Sequence, residues 1–148
     1  MIKYQVIGNP IEHSLSPLIH NYWIDKYNLS NSIYEKKRLN KKDLGNIIEQ
    51  IRNDKIKGVN VTVPFKKEII PFLDKLDKIA KETQSVNTVC KVNNQVCGYN
   101  TDVQGFDESL IDEDYKNKNI FILGAGGVTS SIIYSFIFAA KKIYITNR

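Results

Sequence analysis

The stretch that most restricts the fold lies near the end of the chain. Ile120-Phe121-Ile122-Leu123 is apolar at every position, which suits a strand covered on both faces. Gly124-Ala125-Gly126-Gly127 follows, then an apolar helical stretch to about Ala140, then a second strand at Ile143-Tyr144-Ile145-Thr146. That order makes a β-α-β unit. Its parallel strand pair has two apolar faces and one helix, so it cannot bury itself. A partner surface must therefore come from the rest of the protein. We read residues 1–112 as one domain. The polar run from Asp112 to Asn119 is a linker, and residues 113–148 open a second domain that is truncated at Arg148.

Upstream, strands and helices alternate. Lys3 to Ile7 reads as a strand that ends at Gly8-Asn9-Pro10. Ser16 is a natural N-cap with Pro17 at the first helical position, and Leu18, Ile19, Tyr22, Trp23 and Tyr27 keep helical spacing to about Asn28. Ile33 to Leu39 alternates as a strand. Lys41 to Asn53 is a helix with Leu44, Ile47, Ile48 and Ile51 on one face. Gly58 to Pro64 reads as a buried strand stopped by proline. Short helices are expected around 66–72 and 74–82. A hairpin joins Ser85–Val92 to Gln95–Tyr99 over Asn93-Asn94, and a helix runs from Asp102 to Leu110. The class is α/β.

Composition narrows the function. The 148 residues are 42% hydrophobic and 25% charged, too apolar for a disordered chain. No run of about 18 apolar residues exists, so no membrane-spanning helix is expected. The N-terminus lacks a basic segment followed by a long apolar one, which argues against a secretory leader and for the cytoplasm. Cys90 and Cys97 are too few for a disulfide framework and match no metal-ligand spacing, so no metal is expected. Both read as small apolar packers. The net charge is +5, but apart from Arg38, Arg52 and Arg148 every cation is a scattered lysine. No basic stripe interleaves with aromatics, so nucleic acid is not an expected partner. A mildly positive field suits small carboxylates and phosphates instead.

Local motifs suggest what those anions are. A strand, then Gly124-x-Gly126-Gly127, then a helix presents backbone N–H groups and a helix N-terminus to a pyrophosphate. Thr129 stands where the third glycine of G-x-G-x-x-G belongs, and a glycine-rich tight turn is the alternative reading. The second strand ends in Asn147-Arg148, not in an acidic residue. A carboxylate there would repel a 2′-phosphate and an arginine accommodates one, which favours NADP over NAD. Ser14-x-Ser16 offers two hydroxyls before a helix, enough to grip a carboxylate; a loop residue and a cap are the alternative. Lys66 follows a buried strand and Pro64-Phe65, where apolar surroundings can strip its water; a surface lysine beside Lys67 is the alternative. Asp102 reads as a helix cap. If Lys66 and Asp102 meet, they form a pair able to move a proton at a hydroxyl-bearing carbon. His13 and His20 read as surface or structural residues.

Five segments in order resemble the shikimate dehydrogenase family. They are Ile7-Gly8-Asn9-Pro10-Ile11-Glu12-His13-Ser14-Leu15-Ser16-Pro17, Gly58-Val59-Asn60-Val61-Thr62-Val63-Pro64-Phe65-Lys66, Val86-Asn87-Thr88-Val89, Gly98-Tyr99-Asn100-Thr101-Asp102 and Leu123-Gly124-Ala125-Gly126-Gly127. The resemblance implies a three-layer substrate domain with a mixed sheet, followed by a Rossmann-like domain. It implies reversible NADPH-dependent reduction of 3-dehydroshikimate to shikimate in the cleft between them, in a monomer or homodimer. By the same resemblance Ser14 and Ser16 bind the substrate carboxylate, and Asn60, Thr62, Asn87 and Asp102 hold ring hydroxyls. Lys66 and Asp102 are the catalytic pair. Gly124, Ala125, Gly126 and Gly127 cradle the pyrophosphate, and Asn147 and Arg148 begin the 2′-phosphate clamp. Gln84-Ser85, Tyr99 and Val103 depart from the family's usual residues, which leaves a quinate-type relative as an alternative. The family's chain continues well past Arg148, which leaves a non-catalytic substrate-binding module as another.

Overall fold

Side chains alternate across a strand, and that alternation fixes the layers. The first strand, β1, spans Ile2–Gly8. Ile7 enters one buried cluster while its neighbour Val6 enters another, so both faces of the sheet are covered. The computed structural model describes residues 1–147. In it β1 is joined by β2 (Ser32–Arg38), β3 (Gly58–Val61), β4 (Lys75–Leu76), β5 (Thr88–Val92) and β6 (Gln95–Tyr99). The strand order is β2-β1-β3-β5-β6-β4. β1 pairs in parallel with β2 and β3, placing Ile7 beside Lys37 and Val61. β5 runs antiparallel to β3 and β6, and β4 runs parallel to β6. The sheet is mixed, as expected.

Helix α1 (Ser16–Lys26) lies on the Val6 face, where Ile24 packs with Val6, Ile11 and Tyr34. Helix α2 (Leu44–Arg52) lies on the other face, and Leu44, Ile47, Ile48 and Ile51 are all fully buried there with Ile7 and Phe65. Burying four such side chains is worth on the order of 6–12 kcal/mol before entropy is charged. The β5–β6 hairpin turns at Asn93 and Asn94, with φ of 49° and 62°. Two left-handed residues are what a two-residue turn matched to strand twist demands, and asparagine tolerates that region.

Several local expectations are corrected. Ser16 does not cap α1. Leu15 already has helical angles, Ser16 is the first helical residue, and the Ser14 hydroxyl accepts the Ser16 N–H at 3.3 Å. The helix ends at Lys26 because Asn28 turns to φ 54°. Residues 66–72 form turns and a single 3₁₀ turn at Ile70–Phe72, where Pro71 has no N–H to extend a helix. The helix expected over 74–82 is instead β4 followed by α3 (Lys78–Thr83). Asp77 is extended and accepts the Ala80 N–H at 2.7 Å, so it starts that helix and excludes 74–76. Asp102 does not cap α4 (Asp102–Ser109); Asn100 does, accepting the N–H groups of Asp102 and Val103.

The glycine loop joins β7 (Asn119–Leu123) to α5 (Thr129–Phe136), which ends before Ala140. Strand β8 (Lys142–Thr146) pairs in parallel with β7, Ile122 beside Ile145. Of β7 only Ile122 is buried; Phe121 is 68% and Leu123 85% exposed. α5 is the part that docks on the larger sheet's helices. Phe106 of α4 meets Phe136 edge-on at 5.6 Å, and Tyr134 donates to Glu82 of α3 at 2.5 Å. Among the described residues no helix is long and apolar enough to cross a membrane.

Candidate active site

The end of β3 and the start of α4 build the site between them. After β3 the chain turns, with the Phe65 N–H donating to the Thr62 carbonyl at 2.9 Å. Phe65 is 2% exposed and plugs into the core, so it anchors the next residue, Lys66. The Lys66 carbonyl accepts the Val86 N–H at 2.8 Å, which ties the lysine to the segment leading into β5. Lys66 then reaches Asp102 at the head of α4, Nζ to Oδ2 at 2.7 Å. The side chains are 15% and 21% exposed, so this ion pair is largely screened from water yet open on one side. Their meeting was an open question in the sequence, because each had a simpler local role.

Asn87 completes the pair's surroundings. Its Nδ2 donates to the other Asp102 oxygen at 2.8 Å, and its Oδ1 accepts the Thr101 N–H at 3.0 Å. Asn87 in turn is linked through the Thr88 hydroxyl to Asn60 on β3, with contacts of 3.1 Å on each side. Asn60, Asn87, Asp102 and Lys66 thus form one hydrogen-bonded string. Ser14, Ser16 and Thr62 line a neighbouring hollow of about 260 Å³ with Val6, Ile11 and His13. Lys66 opens into a separate cleft of about 400 Å³, whose far wall is Gly126 and Gly127. Thr62 and Lys66, four residues apart on one turn, border the two spaces. This arrangement can hold a small polyhydroxylated anion and move a proton at one end of it.

The glycine loop suits a phosphate. Gly124 has φ +111°, a conformation side chains rarely adopt. A Cβ on Gly126 or Gly127 would meet nothing within 4 Å, so open space lies beside both. Among the described residues no protein acceptor takes their N–H groups. Donors without a protein acceptor, on a loop with open space beside it and next to a helix start, suit an anion. Ala125 is exposed on the loop. Asn147 is exposed immediately after β8, whose Thr146 carbonyl accepts the Gly124 N–H at 2.8 Å. Arg148 lies outside the described residues.

Two residues matter that the sequence reading passed over. Asn100 is 3% exposed and acts in both directions. Its Oδ1 caps α4 beneath Asp102, while its Nδ2, with two hydrogens to give, lies 2.9–3.0 Å from the Thr83 hydroxyl, the Ser85 carbonyl and the Ser131 hydroxyl of α5. An Asn between a strand and a helix is a cap signal that was available. Tyr34 is 5% exposed and its hydroxyl donates to Asn60 at 2.6 Å. A lone tyrosine in a strand carries no local mark of such a role.

Residues 6–89 match the family described as the shikimate dehydrogenase substrate binding domain. The NADP(+) shikimate dehydrogenase of Pelagibacter ubique is 53% identical over 148 residues, 98% of this chain and 56% of that protein. The crystal structure of shikimate dehydrogenase from Aquifex aeolicus superposes with a TM-score of 0.90 at 43% identity, over 100% of this chain and 56% of that one. The Thermus thermophilus enzyme, solved in complex with NADP(H) and shikimate, superposes at 0.86 with 31% identity, again over 100% and 56%. The chain spans about half the length of the curated relatives it matches. A family match over more than half of the sequence, carried on a mixed sheet that superposes on several members, has one meaning: this chain belongs to the shikimate dehydrogenase substrate-binding-domain family.

Proposed function

We propose that this chain supplies the substrate-binding and proton-transfer side of an NADP-dependent shikimate dehydrogenase, which interconverts 3-dehydroshikimate and shikimate. The observation that carries the reading is the Lys66–Asp102 pair at 2.7 Å, formed across 36 residues, with Lys66 lining the cleft that Gly126 and Gly127 close. A buried ion pair costs desolvation and is a weak way to gain stability, so its position beside open space favours a chemical use. Residues 1–112 make up the substrate domain and residues 113–148 the start of the nucleotide domain.

The roles follow from each group's chemistry. Ser14 and Ser16 donate to the substrate carboxylate. Asn60, Thr62, Asn87 and Asp102 satisfy ring hydroxyls, which a greasy pocket could not. Nicotinamide chemistry supplies the hydride when NADP(H) is bound, and Gly124 to Gly127 offer its pyrophosphate backbone donors. Asn147 and Arg148 are placed in sequence to meet the 2′-phosphate. In the reducing direction the C3 carbonyl oxygen gains negative charge as its carbon gains hydride. Lys66 donates one proton from Nζ to that oxygen, giving the alcohol. Asp102 orients the ammonium and stabilises its charge until then. In the oxidising direction the neutral amine takes the hydroxyl proton back.

Calorimetry with shikimate tests the binding half on this chain directly. Saturable binding that weakens at least about tenfold in Ser16→Ala is expected, from loss of a charge-assisted hydrogen bond. Turnover with shikimate and NADP is expected from the protein that carries the rest of the nucleotide domain, falling about 10²–10⁴-fold in Lys66→Ala. A chain that ignores shikimate sinks the reading. Preference for quinate over shikimate would move the chain to a sister activity.

A further inference from the structure

We propose that Tyr34 is a positioning residue that fixes the amide of Asn60 so that Asn60 presents its oxygen, not its nitrogen, to a substrate hydroxyl. The inference rests on the reading of Asn60 as a ring-hydroxyl partner.

Tyr34 lies on β2, two strands away from β3, and is held at every point. Its backbone N–H and carbonyl are both taken by the Asn21 side chain of α1, each at 2.9 Å. The His20 ring stacks on its ring, centroids 4.2 Å apart and planes 9° from parallel. With the ring 5% exposed, the phenol end has one direction left to point. It points across β1 to Asn60, donating to Oδ1 at 2.6 Å. Burial pushes the pKa of this phenol up to about 12, so it remains a donor throughout the working pH range.

The consequence for Asn60 is a matter of counting. The amide has two donors and two acceptor lone pairs. Nδ2 is directed at the Asn87 carbonyl at 3.3 Å and the Thr88 hydroxyl at 3.1 Å. Tyr34 occupies one lone pair of Oδ1. What remains free is the other lone pair of Oδ1, an acceptor, and the natural partner of an acceptor is a hydroxyl donating its proton. Without the phenol, only the Asn87 carbonyl and the Thr88 hydroxyl hold the amide, both through Nδ2, and Oδ1 loses the contact that aims its free lone pair. The substrate hydroxyl would then meet an acceptor that is less firmly aimed.

Three variants of this chain and two ligands test the idea. The ligands are shikimate and cyclohex-1-ene-1-carboxylate, which keeps the carboxylate and lacks the ring hydroxyls. Tyr34→Phe is expected to raise the Kd for shikimate about fivefold to tenfold, the size of one lost hydrogen-bond preference. Its Kd for the hydroxyl-free acid is expected to stay within about twofold of the parent chain. In an Asn60→Ala background the Tyr34→Phe change is expected to add nothing, because Tyr34 acts through Asn60. Equal weakening of both ligands, unchanged shikimate binding, or a loss that persists beside Asn60→Ala would each overturn the proposal while leaving the functional reading intact. Failure of the parent chain to bind shikimate would overturn both. Should Tyr34→Phe not fold, His20→Ala keeps the hydroxyl but frees the ring. It must then show the same ligand dependence, and its absence counts against the proposal.

Discussion

The two sheets use strands of similar apolarity and end in opposite conditions. In the six-stranded sheet Ile7, Val59, Val61 and Val89 are all at most 3% exposed, between α1 on one face and α2 on the other. In the two-stranded sheet Phe121, Leu123, Tyr144 and Ile145 are 40–85% exposed. The difference is not in the strands but in how many faces are covered. β7 and β8 have one helix between them, and that helix is held by the first region through Ser131, Phe136 and Tyr134. The first region owns its core, and the second leans on it.

Division of the chain breaks this comparison most forcefully. Residues 1–112 alone are expected to melt cooperatively, while residues 113–148 alone are expected to show no thermal transition, since a β-α-β unit cannot bury both faces. Circular dichroism melts of the two pieces check this. A cooperative transition in the short piece would mean that the second region is self-sufficient. Next in size are paired truncations of isoleucine. Ile51→Ala removes a fully buried side chain and is expected to cost about 3 kcal/mol, whereas Ile145→Ala, at 48% exposure, is expected to cost under about 1 kcal/mol. Urea midpoints at constant slope measure both.

Asn100 is the joint between the regions, and its loss should act on both. Asn100→Ala leaves Ser131 and Thr83 short of a buried donor and leaves α4 uncapped. A cost of about 2–3 kcal/mol is expected. Hydrogen exchange should rise in α5 and in the first turn of α4 before it rises in α2. Uniform loss of protection would show that the joint has no special place.

The sequence made the same contrast legible only in part. Periodicity placed the four core residues of α2, although the α-helix starts at Leu44, three residues later than the pattern suggests, and Asn93-Asn94 fixed the hairpin by turn chemistry. The pairs that depend on distant segments were out of reach. Nothing near Lys66 announces Asp102, and each had a local alternative, a surface lysine and a helix cap. Asp102 lost its cap role to Asn100, two residues earlier, because Asp102 is itself the first helical residue and its N–H is taken by the Asn100 side chain. The α1 stripe of Leu18, Ile19, Tyr22 and Trp23 is helical as read, yet all four side chains are 46–73% exposed. Spacing reports that a face is apolar and not what covers it.

A smaller effect concerns the wall of the cleft. Gln84 follows α3 with φ 51° and ψ 40°, the left-handed conformation in which glycine is favoured. A non-glycine there costs about 1 kcal/mol, and glycine's greater freedom in the unfolded chain returns about half of that. Gln84→Gly is thus expected to stabilise the first region by about 0.5 kcal/mol. Chemical denaturation followed at tryptophan reads it out, since Trp23 is the sole tryptophan and belongs to that region. A destabilised variant would mean that the Gln84 side chain, which donates to the Lys81 carbonyl at 2.7 Å, outweighs the backbone term.

The mildest test uses acid on one tie of the first region. Arg52 of α2 forks onto Asp74 at 2.8 and 3.0 Å, and Asp74 also accepts the Val96 N–H of β6 at 2.7 Å. The Arg52 guanidinium first, then the Val96 amide, hold the Asp74 carboxyl below the usual carboxylate range. A carboxyl whose pKa is lower folded than unfolded adds stability that is fully present above the unfolded value, near 4, and is lost as pH falls through the folded value. The urea midpoint of the parent chain should therefore exceed that of Asp74→Asn at neutral pH, and the gap should close below about pH 4. The pair is partly exposed, so the gap should also shrink in high salt. Because Asp74 joins α2 to β6 and touches nothing of β7 or β8, exchange protection in the two-stranded sheet should not follow this titration. If it does, the two regions share one cooperative unit and the smaller sheet draws more than its anchor from the larger.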